Sequence, residues 1–245
     1  MNKPRVGIDI NEVVRARWFQ FDKFYIQEFG EEGAPKDRVY DLFSNYKWED
    51  GVEITKELRE PGEMPDGINP TDYQVNEKTG EAPADIFLFK KGEEKLTAKE
   101  KFNRFIYEDF VYEIHGSAPL IYKGLDLHLK EFCFKYRDSA EISILSVENV
   151  FSIPSTLFFL SKIASRFNNY CFLDKAIDMW KHADVLITSD PELIVLGAPW
   201  GKKLIKVVRP YNRELKKGST DVANFNELLN NENFEKIIRY KNKKK

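Results

Sequence analysis

The side chain best placed to do chemistry is Asp9, a single carboxylate near the end of the apolar run Arg5-Val-Gly-Ile-Asp-Ile10. β-Branched residues around one acid read as a short buried strand. Val14, Trp18, Phe21, Tyr25 and Phe29 then recur at three- and four-residue steps, which predicts a helix over 12–29 stopped by Gly30. A strand ending in an acid and followed at once by a helix is a βα unit with its polar residue at the strand's carboxyl end, where open α/β sheets bind ligands. Other chemistries lack their residues. His115, His128 and His182 have no metal-ligand spacing. Cys133 and Cys171 form neither a disulfide framework nor a zinc pattern and read as buried reduced thiols. No Gly-x-Gly-x-x-Gly loop, P-loop or Gly-x-Ser-x-Gly elbow occurs.

The elements that must position Asp9 come mostly from the second half. Thr97 with Glu100 forms a capping box ahead of an apolar stripe, Phe102, Phe105, Ile106, Phe110 and Ile114, that ends near Gly116. A helix is predicted over 120–136, then a strand at Ile142–Leu145, a helix at Ser155–Phe167 and a strand at Tyr170–Leu173. A helical turn at Asp178–His182, strands at Val185–Ile187 and Lys203–Val208, and an amphipathic helix from Phe225 to Ile238 complete the series. Short apolar strands alternating with helices predict an α/β, Rossmann-like fold: a mostly parallel sheet with helices on both faces. Residues 31–96 interrupt it, with Pro and Gly breaking any long period. Tyr40–Phe43 and Val52–Leu58 are expected as short helices there, and Glu60–Ala84 has no period at all. The expected organisation is a core of 1–30 and 97–245 with 31–96 as a cap, lid or partner-binding arm. Its aromatic residues Tyr73, Phe87 and Phe89 are the candidate partner contacts.

The 245 residues suffice for one sizeable core, and 42% hydrophobic with 14% aromatic content is that of a folded chain. Lys plus Arg number 38 against 40 Asp plus Glu, so no basic surplus marks a nucleic-acid binder. The basic run Arg239-Tyr-Lys-Asn-Lys-Lys-Lys245 reads as a solvated segment. No stretch approaches the ~20 apolar residues of a membrane span, and the opening run is too short for a signal peptide.

Val6-Gly-Ile-Asp-Ile-Asn-Glu-Val13 resembles the first motif of the haloacid-dehalogenase (HAD) family, a hydrophobic strand followed by Asp-x-Asp. That resemblance implies Asp9 as the phosphoryl-accepting nucleophile. Asn11 stands where the family has its general acid/base, and an amide cannot exchange a proton at neutral pH. Its backbone carbonyl would still be a Mg²⁺ ligand. Ile142-Ser-Ile-Leu-Ser146 is similar to the second motif, making Ser146 a phosphate donor. Lys175, with Lys181 in reserve, is the match to the third, a charge-offsetting lysine. Ala183–Pro191 is similar to the fourth motif, Leu-Ile-Asp-Asp-x-Pro, but Thr188 and Ser189 replace its two metal-binding acids and Asp190 falls one position late. Mg²⁺ requires near-octahedral oxygen geometry, so the displacement matters. Lys3–Glu12, Asn69–Val75 and Pro199–Lys206 resemble HAD-like proteins of crAss-like tailed phages. Together the likenesses imply a catalytically degenerate scaffold, a structural component of a phage tail or neck, with no cofactor, or Mg²⁺ if active on small phosphate esters. Its expected partners are other protein subunits, in a homo-oligomer or multi-protein assembly, with no membrane span and no specific nucleic acid. The expected location is the virion, failing that the bacterial cytoplasm.

Overall fold

A computed structural model describes residues 3–30, 41–58, 89–163, 166–215 and 218–243. In chain order the elements are β1 (Arg5–Asp9), α1 (Arg17–Phe29), β2 (Gly51–Leu58), β3 (Phe89–Leu96), α2 (Ala98–Arg104), α3 (Leu125–Tyr136), β4 (Glu141–Val147) and α4 (Ile153–Ser161). They continue with β5 (Asn169–Leu173), α5 (Met179–His182), β6 (Val185–Thr188), α6 (Pro191–Leu196), β7 (Lys203–Val207), β8 (Thr220–Val222), α7 (Phe225–Leu229) and α8 (Glu232–Lys243).

Six strands form one sheet in the order β5-β4-β1-β6-β7-β8, every neighbouring pair parallel. Alternation along each strand explains why both faces are covered. Val6, Ile8, Ile142, Ile144, Val185, Ile187, Ile205 and Val207 enter one apolar cluster with residues of α3, α4, α7 and α8. Leu145, Leu186 and Leu204 enter a second with residues of α5 and α6. A sheet buried on both faces is the usual home of parallel strands. Gly7 marks the closest approach: a Cβ there would lie 2.5 Å from Leu145 Cδ1 and 2.9 Å from Ala183 Cβ.

Numbered within this sheet alone, the strands run 3-2-1-4-5-6, the Rossmann order. The order reverses between β1 and β6, so the crevice beyond their carboxyl ends is the topological switch point. Asp9 closes β1 and Thr188 closes β6.

Several expectations are corrected. The helix expected from residue 12 begins at Arg17. Before it, Val14 and Arg15 donate backbone N–H groups to Ile10, Glu12 bonds Arg15, and Glu12 sits at φ 57°. This tight turn drives Arg15 inward, an arrangement no helical period encodes. Val52–Leu58 is strand, not helix: β2 pairs antiparallel with β3 from Gly51↔Leu96 to Leu58↔Phe89, because a partner strand supplies the backbone bonds. Of the helix expected over Tyr40–Phe43, Tyr40 lies outside the described residues, and a single 3₁₀ turn spans Phe43–Asn45. The Thr97–Glu100 capping box forms, with Thr97 N donating to Glu100 Oε2 at 2.8 Å and Glu100 N to Thr97 Oγ1 at 3.3 Å. The stripe after it widens into π-type turns at Phe105–Asp109 and Tyr112–Gly116. The helix expected over 120–136 starts at Leu125, and that expected at Ser155–Phe167 runs Ile153–Ser161. The last helix divides into α7 and α8, and β8 went unread.

The chain packs as two units, Met1–Lys47 with Asn103–Lys245, and Trp48–Phe102. The second starts later than the expected boundary at 31 and ends beyond 96. Tyr73 and Phe87 lie outside the described residues, and Phe89 opens β3. Among the described residues no helix is long and apolar enough to cross a membrane.

Candidate functional site

Asp9 is buried at the end of β1, 2% exposed. Its Oδ2 accepts a 2.7 Å hydrogen bond from Thr188 Oγ1, and its Oδ1 accepts a 3.3 Å bond from the Asn11 backbone N–H. Burial pushes its carboxyl up from 3.8 to about 7; the Thr188 bond works against this, and the negative charge of Asp190 adds to it. Thr188 is fixed in turn because its hydroxyl accepts from Asp190 N at 3.0 Å.

Asp190 is the N-cap of α6. Its Oδ1 accepts from Glu192 N at 2.8 Å and Leu193 N at 3.2 Å, satisfying two donors at the helix start. Ser189 is turned to the other side. Its hydroxyl donates to the Asn11 carbonyl at 3.4 Å and accepts from Tyr211 Oη at 2.9 Å.

Next to this pair lies a second buried polar centre that sequence reading missed. Arg15, fully buried, donates to Asn11 Oδ1 at 2.6 Å, Glu148 Oε1 at 2.6 Å, Thr156 Oγ1 at 2.7 Å and the His115 carbonyl at 2.9 Å. Glu148 also accepts from Ser146 at 2.8 Å, Ser152 at 2.5 Å and Thr156 at 3.1 Å. Burial alone would raise the Glu148 carboxyl, yet the Arg15 charge and these bonds hold it well below the usual carboxylate range. His115 Nδ1 lies 3.4 Å from Glu148 Oε2, and burial lowers the imidazole to about 4, so it is neutral at physiological pH.

A cleft of about 640 Å³ opens on this edge of the sheet. Asp9, Asn11, Lys175 and Asp190, four of the expected site residues, line it, joined by Arg17, Tyr107 and Glu148. Ser146 is not among the lining residues; it is fully buried and directs its hydroxyl to Glu148. That corrects its expected role as a phosphate donor. Lys181, the reserve cation, pairs with Asp178 at 2.7 Å and does not line the cleft. Five acidic side chains, Asp9, Glu148, Asp174, Asp190 and Glu192, face two basic ones, Arg17 and Lys175. An anionic phosphoryl group would meet a surplus of like charge there unless a cation offset it.

Both Asp9 oxygens accept protein hydrogen bonds, Asp190 Oδ1 caps a helix, and Thr188 and Ser189 contribute neutral hydroxyls. Among the described residues no three of His, Cys, Asp and Glu converge as a metal-binding group. Asn11, with its side-chain oxygen held by Arg15, has no titratable proton for a leaving group.

Compared with protein-family models the chain matches none, and it shows no significant similarity to any curated protein.

Proposed function

We propose that this chain is a HAD-like scaffold without phosphoryl-transfer chemistry that serves as a structural, assembly-forming component. The observation that carries the reading is the 2.7 Å bond from Thr188 to Asp9, at the position where a hydrolase of this type needs a second carboxylate for its cation. Arg15 on the Asn11 amide supports it, because the position of the proton donor is occupied by a structural hydrogen bond. Assembly is supported by an apolar patch around α4: Val150, Phe151, Leu157 and Phe158 are 69, 64, 46 and 43% exposed, with the Tyr112 and Phe158 ring centroids 5.2 Å apart at 47°. The resemblance to proteins of crAss-like phages extends the proposal to the tail or neck of a virion.

The test pairs hydrolysis with sedimentation. Purified protein is expected to release no phosphate from nucleoside monophosphates in the presence of Mg²⁺, and to sediment as an oligomer that Phe158→Glu disperses. A monomer with phosphate release abolished by Asp9→Asn would overturn the proposal. It would favour the second reading, a Mg²⁺-dependent phosphohydrolase, which the convergence of Asp9, Lys175, Arg17 and Asp190 on one cleft supports.

A further inference from the structure

A second concavity, of about 890 Å³, opens at the same carboxyl edge of the sheet and shares no lining residue with the Asp9 cleft. Trp18, Phe19, Leu120 and Tyr211 give it an apolar, aromatic lining, and Glu12 and Arg209 are its charged members. The Trp18 and Tyr211 rings lie 4.7 Å apart at 43°, while Phe19 is 61% exposed.

Glu12 is built for this position at some cost. It is 5% exposed and held at φ 57°, a backbone region that side-chain-bearing residues rarely adopt. Its Oε1 accepts from the Trp18 backbone N–H at 2.9 Å, and its Oε2 takes no hydrogen bond among the described residues. Arg209 donates Nε to the Glu12 carbonyl at 2.7 Å and Nη1 to the Val208 carbonyl at 3.3 Å. Its Nη2 has no acceptor among the described residues. Although both side chains line one groove, no ion pair joins them. Glu12 Oε2 is thus an acceptor and Arg209 Nη2 a buried donor without partners among the described residues, beside an aromatic frame, and buried donors are seldom left so.

We propose that this groove binds a planar heteroaromatic lactam, the edge presented by uracil or guanine. The ring N–H donates to Glu12, the adjacent ring carbonyl accepts from Arg209, and the ring face lies on the aromatic wall. One acid and one base favour a ligand without net charge on that edge. Carboxylates accepting from base N–H groups, and arginines donating to base carbonyls, are established modes of base recognition, and aromatic stacking accompanies them. The site is independent of the Asp9 cleft, so it stands or falls apart from the proposal above.

The test is calorimetric titration of the full chain with uridine and guanosine against cytidine and adenosine, whose bases lack a ring N–H beside a ring carbonyl. The lactam nucleosides are expected to bind at least tenfold more tightly than the other two. Glu12→Gln is expected to remove most of that preference. Phe19→Ala, at an exposed position that leaves the core intact, is expected to weaken uridine binding three- to tenfold with an unchanged melting temperature. Absence of binding by all four nucleosides, equal binding by all four, or full uridine affinity in both variants would overturn the assignment.

Discussion

Asp9 and Glu148 are carboxylates buried at the carboxyl ends of two neighbouring parallel strands, yet the fold holds them in opposite states. Glu148 receives an arginine and three hydroxyls and stays ionised. Asp9 receives one hydroxyl and one backbone N–H, has the Asp190 charge close by, and holds its proton to about pH 7. The difference lies in where the cation sits. Arg15 belongs to β1's own following turn but turns toward β4, so the positive charge goes to Glu148 and away from Asp9. A desolvated acid that keeps its proton to about pH 7 is a poor nucleophile below neutrality.

The largest way to break the comparison is Arg15→Ala. It strands Glu148 as a buried charge and is expected to cost about 3–5 kcal/mol in urea unfolding. Replacing both partners with apolar residues of similar size is expected to cost less than Arg15→Ala alone.

Next comes Asp9→Asn, with an effect that depends on pH. The native acid releases its proton near pH 7 and the unfolded one near 3.8. The native state therefore binds more protons between those values, and the stability of the parent falls as pH rises through the window. An amide does not ionise, so the variant is expected to gain about 1–3 kcal/mol on the parent between pH 4 and pH 8. A pH-independent difference would show that Asp9 is not held protonated.

Thr188→Val sharpens the same point by removing the hydroxyl from Asp9. It is expected to cost about 1 kcal/mol and to move the Asp9 titration further up, followed by carboxyl NMR or infrared absorption. The smallest effect belongs to Asp190→Ala. Loss of the α6 cap costs about 0.5–1 kcal/mol in thermal melts, while removal of its charge lowers the Asp9 titration slightly.

The sheet was legible because its strands are short apolar runs buried on both faces, Ile142 and Ile144 on one and Leu145 on the other. Asp9 and Asp190 were legible because an acid at a strand end or before a proline is a local signal. Arg15 with Glu148 was not, since 133 residues separate the pair and Arg15 falls where a helix would expose it. Ser146 misled for a related reason: it ends a strand as a phosphate donor would, but Glu148 two residues later captures its hydroxyl. Val52–Leu58 carries too many charges to look like a strand until β3 is set beside it. Glu12 gave no warning of its left-handed backbone, which arises from the turn that brings Arg15 inward.

The central proposal is that the acid at the end of β1, whose neighbouring carboxylate Asp190 caps α6, does not hold a divalent cation. Calorimetric titration of Mg²⁺ into the protein at pH 7.5 tests it most directly. No saturable heat is expected up to millimolar magnesium, in the parent and in Asp9→Asn alike. A saturable, sub-millimolar Mg²⁺ site that disappears in Asp9→Asn would contradict it.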